Sequence, residues 1–145
     1  MVDMTACAQA RLTRNEAGRL RESADPVARF VAAISEPYVR FAERFGSAGA
    51  AIHDALAVGI ASDPLVAKTV RPVHVDVETK GEFAYGATVT NLRLTVEHSE
   101  RRGDRFVIVD FPAVKANGAY PTVVNGERFV EMFVQRMIRA PAGRN

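Results

Sequence analysis

Residues Val73-His74-Val75-Asp76-Val77-Glu78-Thr79-Lys80-Gly81 decide how this chain is read, because the hydrophobic period changes there. Val73, Val75 and Val77 alternate with His74, Asp76 and Glu78, the two-residue repeat of a strand with one buried face. Upstream the repeat is three to four residues. Val27, Phe30, Val31, Ile34, Tyr38, Phe41 and Phe45 predict an amphipathic helix, opened by Asp25-Pro26 and ended at Gly46. Pro37 is expected to kink or divide it. Thr13-x-x-Glu16 spells a capping box for an earlier short helix running to about Ser23, with Ala17 and Leu20 inward. Asp3 and Thr5 read as a strand end or loop. After the small-residue loop Gly46-Ser47-Ala48-Gly49, the spacing of Ile52, Ala55, Leu56, Gly59 and Ile60 predicts a third helix over about 51–61, punctuated by Ser62-Asp63-Pro64.

Downstream, Gly81 and Gly86 bracket a turn, and Thr88–Leu94 and Phe106–Phe111 read as strands separated by a polar Ser99–Asp104 loop. A short strand at Thr122–Val124 precedes Asn125, a cap for a last helix that turns Phe129, Val130, Phe133, Met137 and Ile138 inward and stops before Pro141. The order is helices first, then a mixed sheet and a closing helix. That is an α/β chain without the opening strand–loop–helix unit of a complete doubly wound domain.

The 145 residues amount to a single domain, 1–145, with 48% apolar and 25% charged residues, ordinary values for a globular core without staples. Nineteen basic residues against 17 acidic ones leave a formal charge of +2. The arginines are scattered, and only Arg101-Arg102 stand together, so the charge gives no stripe for nucleic acid. Cys7 is the single cysteine, which excludes an internal disulfide and a cysteine zinc site and suits a small buried hydrophobe. No run of 18 apolar residues and no secretory signal pattern is present, so the expected setting is cytoplasmic, away from membrane.

Glycine-rich phosphate loops, G-x-S-x-G and H-E-x-x-H are all absent. His53-Asp54 is the most informative pair, because two ionisable groups open an otherwise apolar helix. The helix dipole favours Asp54, whose carboxylate suits a hard cation such as calcium, and His53 is able to move a proton near neutral pH. The plain alternative has Asp54 stabilising the helix start and His53 bonded to backbone. Asp76 and Glu78, two apart on a strand, face the same way; they read first as a solvated row with Lys80 as ion-pair partner. His74 and His98 have no ligand spacing to each other and carry no role.

Four runs together resemble a known family. They are Ala51-Ile52-His53-Asp54-Ala55-Leu56-Ala57-Val58, then Asp63-Pro64, then Val73 through Glu82, and then Gly86-Ala87-Thr88-Val89. With Asp3-Met4-Thr5, Leu12-Thr13 and Arg128-Phe129-Val130, they are similar to the C-terminal half of the inosine-uridine-preferring nucleoside hydrolases, from about Val2 to Ile138. The resemblance implies a nucleoside-hydrolase-like open-sheet fold and hydrolysis of the N-glycosidic bond of a ribonucleoside to ribose and free base. It implies Asp54 as a ligand of calcium and His53 as the group that helps protonate the leaving base. An oxocarbenium-like transition state asks for such a proton and for an activated water.

The family's N-terminal aspartate-rich motif, which supplies most calcium ligands and the water-activating carboxylate, has no counterpart here, nor has its asparagine-rich ribose-binding segment. Calcium takes six to eight oxygens, and Asp54 alone offers one or two. The expectation is therefore a truncated or split hydrolase, working as a homo-oligomer or with a complementing N-terminal chain. The alternative is a non-catalytic binding or assembly module that keeps the C-terminal scaffold. Missing opening strands also imply exposed apolar surface.

Overall fold

The computed structural model describes residues 1–92, 97–102, 105–110 and 114–138. The chain divides into two compact units, one of Met1 with Val70–Tyr120 and one of Val2–Thr69 with the remainder from Pro121.

In the second unit, helix α1 (Met4–Cys7) is capped by Asp3, whose Oδ1 accepts from the Ala6 N–H at 2.8 Å. A helical turn thus stands where a strand end or loop was expected. Strand β1 (Arg11–Thr13) pairs antiparallel with β2 (Gly49–Ala51), Leu12 opposite Ala50. Gly49 is needed there: a Cβ would stand 2.4 Å from the Leu12 carbonyl oxygen. Helix α2 (Arg14–Arg21) opens on the capping box, with the Thr13 N–H donating to Glu16 Oε2 at 3.0 Å, and it buries Ala17 and Leu20 as expected.

Helix α3 (Pro26–Arg44) starts at Asp25 as its sequence signals, but it runs through Pro37 undivided. Pro37 and Ala33, whose carbonyl loses its donor, are both exposed residues, so the missing bond falls on the outward side of the helix. The face it buries is also unexpected. Ala28, Ala32 and Val39 turn toward α2 and β2, whereas Phe30, Tyr38, Phe41 and Phe45 are 62–75% exposed. Small residues let the helix approach its neighbours closely, and the aromatic stripe is left outward. That accords with the exposed apolar surface the sequence implies.

Helix α4 (His53–Ser62) follows β2 after one residue, then comes a 3-10 turn at Pro64–Val66. Ala51 therefore belongs to a strand rather than to the third helix. Helix α5 (Gly126–Ile138) is capped by Asn125, whose Oδ1 accepts from the Arg128 N–H at 3.2 Å. It buries Phe129, Val130 and Val134, and Phe133 and Met137 pack against the core. Ile138, expected inward, is 36% exposed at the helix end. Leu12, Leu20, Leu56, Val66, Phe129 and Val134 form the centre of this core, with Cys7 buried beside them.

The long strand β3 (Ala67–Val77) passes from one unit into the other. It lies between β4 (Thr88–Asn91) and β7 (Gly118–Val124). Its pairing with β4 is antiparallel, His74 opposite Asn91 and Val77 opposite Thr88. Of the three alternating valines Val73 is fully buried, while Val77 is exposed. Strands β5 (Glu97–Arg102) and β6 (Arg105–Asp110) pair antiparallel along their whole length. Ser99–Arg102 are thus strand and not loop. Their polar side chains carry no two-residue hydrophobic signal, and backbone bonding to β6 makes the strand. The expected strand ends at Leu94 and Phe111, and the stop before Pro141, lie outside the described residues. Among the described residues no helix is long and apolar enough to cross a membrane.

Candidate functional site

His53 and Asp54 occupy the first two positions of α4. The pairing of β1 with β2 brings the chain there: Arg11 Nη1 donates to Ser47 Oγ at 2.6 Å and to the Gly49 carbonyl at 3.2 Å, fixing the turn into β2. Ile52 precedes the helix and offers no side-chain cap. Asp54 is the acidic group of that first turn, where the free N–H groups and the helix dipole favour negative charge. Both side chains are exposed. Neither therefore carries the desolvation cost that made the pair conspicuous in the sequence.

The rest of α4 is held by α5. Gly59 lies against the Phe129 ring, and at the end of the helix Asp63 Oδ2 accepts from Arg128 Nε at 2.9 Å and from Nη2 at 2.7 Å. The Arg128 bond, followed by the Leu65 N–H bond and charge, holds the Asp63 carboxyl below its ordinary range despite the opposing effect of desolvation. Asp63 reads in sequence as a cap for the Pro64 turn, which it is, its Oδ1 accepting from the Leu65 N–H at 3.1 Å. Its second role, through a partner 65 residues away, has no local signal.

Near the start of α4, Cys7 is buried. Burial pushes its thiol up, and the Asp3 and Asp54 carboxylates add to that, so it remains a thiol and no nucleophile. The Asp3 segment and the His53-Asp54 turn, distant in sequence, thus share one neighbourhood. Asp76 and Glu78 belong to the other unit. Asp76 bonds to His74, and Glu78 Oε1 accepts from the backbone N–H groups of Lys80 and Gly81 at 2.7 and 2.9 Å. Glu78 therefore shapes the turn, and its contact with Lys80 is to the main chain. An apolar groove of about 270 Å³ between α4 and α5 is lined by Ala55, Val58, Gly59 and Phe129 among others, not by His53 or Asp54.

As a cation site the donor set is incomplete. Among the described residues no three His, Cys, Asp or Glu side chains converge as metal ligands, and one exposed carboxylate supplies at most two of the six to eight oxygens calcium takes. These residues do not by themselves fit a bound calcium ion.

Among the described residues the architecture is an α/β arrangement of helices with open sheets. The family profile described as inosine-uridine preferring nucleoside hydrolase matches residues 1–131, and the chain belongs to that family. Among solved structures it is similar to a purine-preferring ribonucleoside hydrolase from Gardnerella vaginalis, with 23% identity and a TM-score of 0.70 over 96% of this chain and 39% of that one. It is also similar to a plant nucleoside hydrolase, the PpNRh1 enzyme, with 22% identity and a TM-score of 0.66 over 95% of this chain and 40% of that one. The chain thus spans about two fifths of the length of these structures. No curated protein matches it.

Proposed function

We propose that this chain acts in hydrolysis of the N-glycosidic bond of ribonucleosides and carries the part of the site that serves the leaving base. Membership of the family supports a ribonucleoside as the substrate class. The observation that carries the reading is the placement of His53 and Asp54 side by side, exposed, on the first turn of a helix anchored at its other end by Asp63 and Arg128. From there His53 donates a proton to the departing base, so that it leaves neutral as positive charge develops on the ribose. Asp54 contributes one carboxylate to a divalent cation, with calcium the family expectation. The remaining oxygens then come from outside these 145 residues or from a second copy.

The test is ribose release from a panel of purine and pyrimidine ribonucleosides by the purified chain, with calcium and again with chelator. The expected result is chelator-sensitive release that Asp54→Ala abolishes. His53→Ala should slow purine nucleosides more than nucleosides with good leaving groups, since only a poor leaving group needs the proton. No release by the folded chain alone would mean that His53 and Asp54 are half of a site. No release from any nucleoside after an N-terminal chain of the family is added as well would overturn the catalytic reading and favour a binding or assembly module.

A further inference from the structure

His74 has an oxygen acceptor on each ring nitrogen. Nδ1 stands 2.8 Å from the Lys115 carbonyl oxygen, and Nε2 stands 2.9 Å from Asp76 Oδ2. A carbonyl and a carboxylate only accept, so both contacts are hydrogen bonds only when both nitrogens carry protons. Neutral imidazole has one N–H and must set its other lone pair against an oxygen.

The position of the ring gives this consequence. The chain leaves β4 at Asn91, which is His74's partner across the ladder, runs through the β5–β6 hairpin, and returns beside the same residue. On the return, Asn117 donates its backbone N–H to the Val73 carbonyl at 3.1 Å, and its side-chain amide accepts from the Val75 N–H at 2.8 Å and donates to the Val75 carbonyl at 2.9 Å. His74 thus lies between the two feet of the hairpin-bearing segment.

We propose that His74 is a proton-dependent clasp that locks the returning foot of this segment, Lys115 to Asn117, onto β3. Among the described residues, β3 carries Lys68, Arg71 and Asp76, of which Asp76 bonds the ring while Arg71 falls on the other face of the strand; the returning segment contributes Lys115, β7 only the titratable Tyr120, and β4 (Thr88–Asn91) no charge. The bond to the Lys115 carbonyl, then the bond and charge of Asp76, raise the His74 pKa above its ordinary value against the opposing effect of desolvation. With the folded-state pKa raised, both bonds are fully formed below the unfolded value of about 6.5. As pH rises through the folded one, the single remaining proton stays on Nε2 against the stronger acceptor, the Asp76 carboxylate, and the bond to the Lys115 carbonyl is lost.

Nuclear magnetic resonance on the full chain tests this by following the His74 ring titration and amide exchange together. Protection of the Val75 and Asn117 amides, relative to the Phe129 amide in α5, should fall by roughly two- to tenfold as pH rises through the His74 titration, the worth of one net hydrogen bond. His74→Phe should remove that dependence. Asp76→Asn should flatten it while keeping the clasp, because an asparagine N–H donates to neutral Nε2 while Nδ1–H bonds Lys115. Wild-type protection that stays flat across the His74 titration would overturn the proposal, as would an unchanged pH response in His74→Phe.

Discussion

Gly59→Ala sets helix propensity against packing, and the structure decides between them. Gly59 is buried in α4, and a Cβ built there stands 2.6 and 2.7 Å from Cδ2 and Cε2 of Phe129 and 3.4 Å from the Met132 methyl carbon. Carbon atoms pack best at about 3.5–4.0 Å, so the ring or the helix must move by about 1 Å. Phe129 is 1% exposed and is the largest fully buried side chain among the described residues, so moving the ring disturbs the core packed around it. Replacing an interior helical glycine by alanine gains about 1 kcal/mol. Overpacking a filled core costs about 1–3 kcal/mol, and rigid ring atoms under 3 Å away place this site in the upper part of that range. The expected net effect is a loss of about 1–2 kcal/mol, read from urea unfolding followed by circular dichroism. In a Phe129→Leu background the alanine should cost less, because the atoms it meets are gone, and the pair should be non-additive. Gly59→Ala at least as stable as the parent would refute the close α4–α5 contact and the reasoning built on it.

Two further outcomes are expected. Pro37→Ala restores a donor for the Ala33 carbonyl inside an undivided helix, and should raise stability by about 1–2 kcal/mol in the same unfolding assay; a loss would mean that the helix depends on a bend at Pro37. Arg19 grips Glu131 with two bonds, at 2.7 and 3.0 Å, and this, with Gln135, brings the Glu131 carboxyl down to about 2. Its stabilising contribution is present above the ordinary value of 4.5 and is lost as pH falls through about 2. A carboxyl titration by nuclear magnetic resonance should show Glu131 returning toward its ordinary range in Arg19→Ala, and an unmoved titration would discount the pair.

Helix starts were the most legible part of the fold. Thr13 with Glu16, Asp25 with Pro26, and Asn125 each act within about three residues, so the signal and its physical cause lie in the same short stretch. The place of His53 and Asp54 on the first turn of α4 was legible for the same reason, although the helix begins two residues later than its apolar spacing suggests. Asp3 was harder, because a four-residue helix is too short to show a period. Strand β5 was missed because Glu97 to Arg102 has no apolar alternation and owes its shape to β6. The turn after β3 was half legible: Gly81 marks it, but Glu78 bonding two backbone N–H groups looks in sequence like one more solvated carboxylate.

By itself, the sequence determined the class of fold, the family and the starts of α2, α3 and α5, and it singled out the pair of residues for which the chemistry is proposed. All of these rest on local bonding, on period or on runs of adjacent residues. Tertiary structure alone decided which face of α3 is buried, because an amphipathic stripe reports where apolar side chains lie and not what stands opposite them. It decided likewise that Arg128 steadies the helix bearing His53 and Asp54, through a carboxylate 65 residues away. His74, without a role as a histidine beside a valine, acquires one through a carbonyl 41 residues along the chain. Contacts of that separation depend on how the whole chain packs, and no short window of sequence contains both partners.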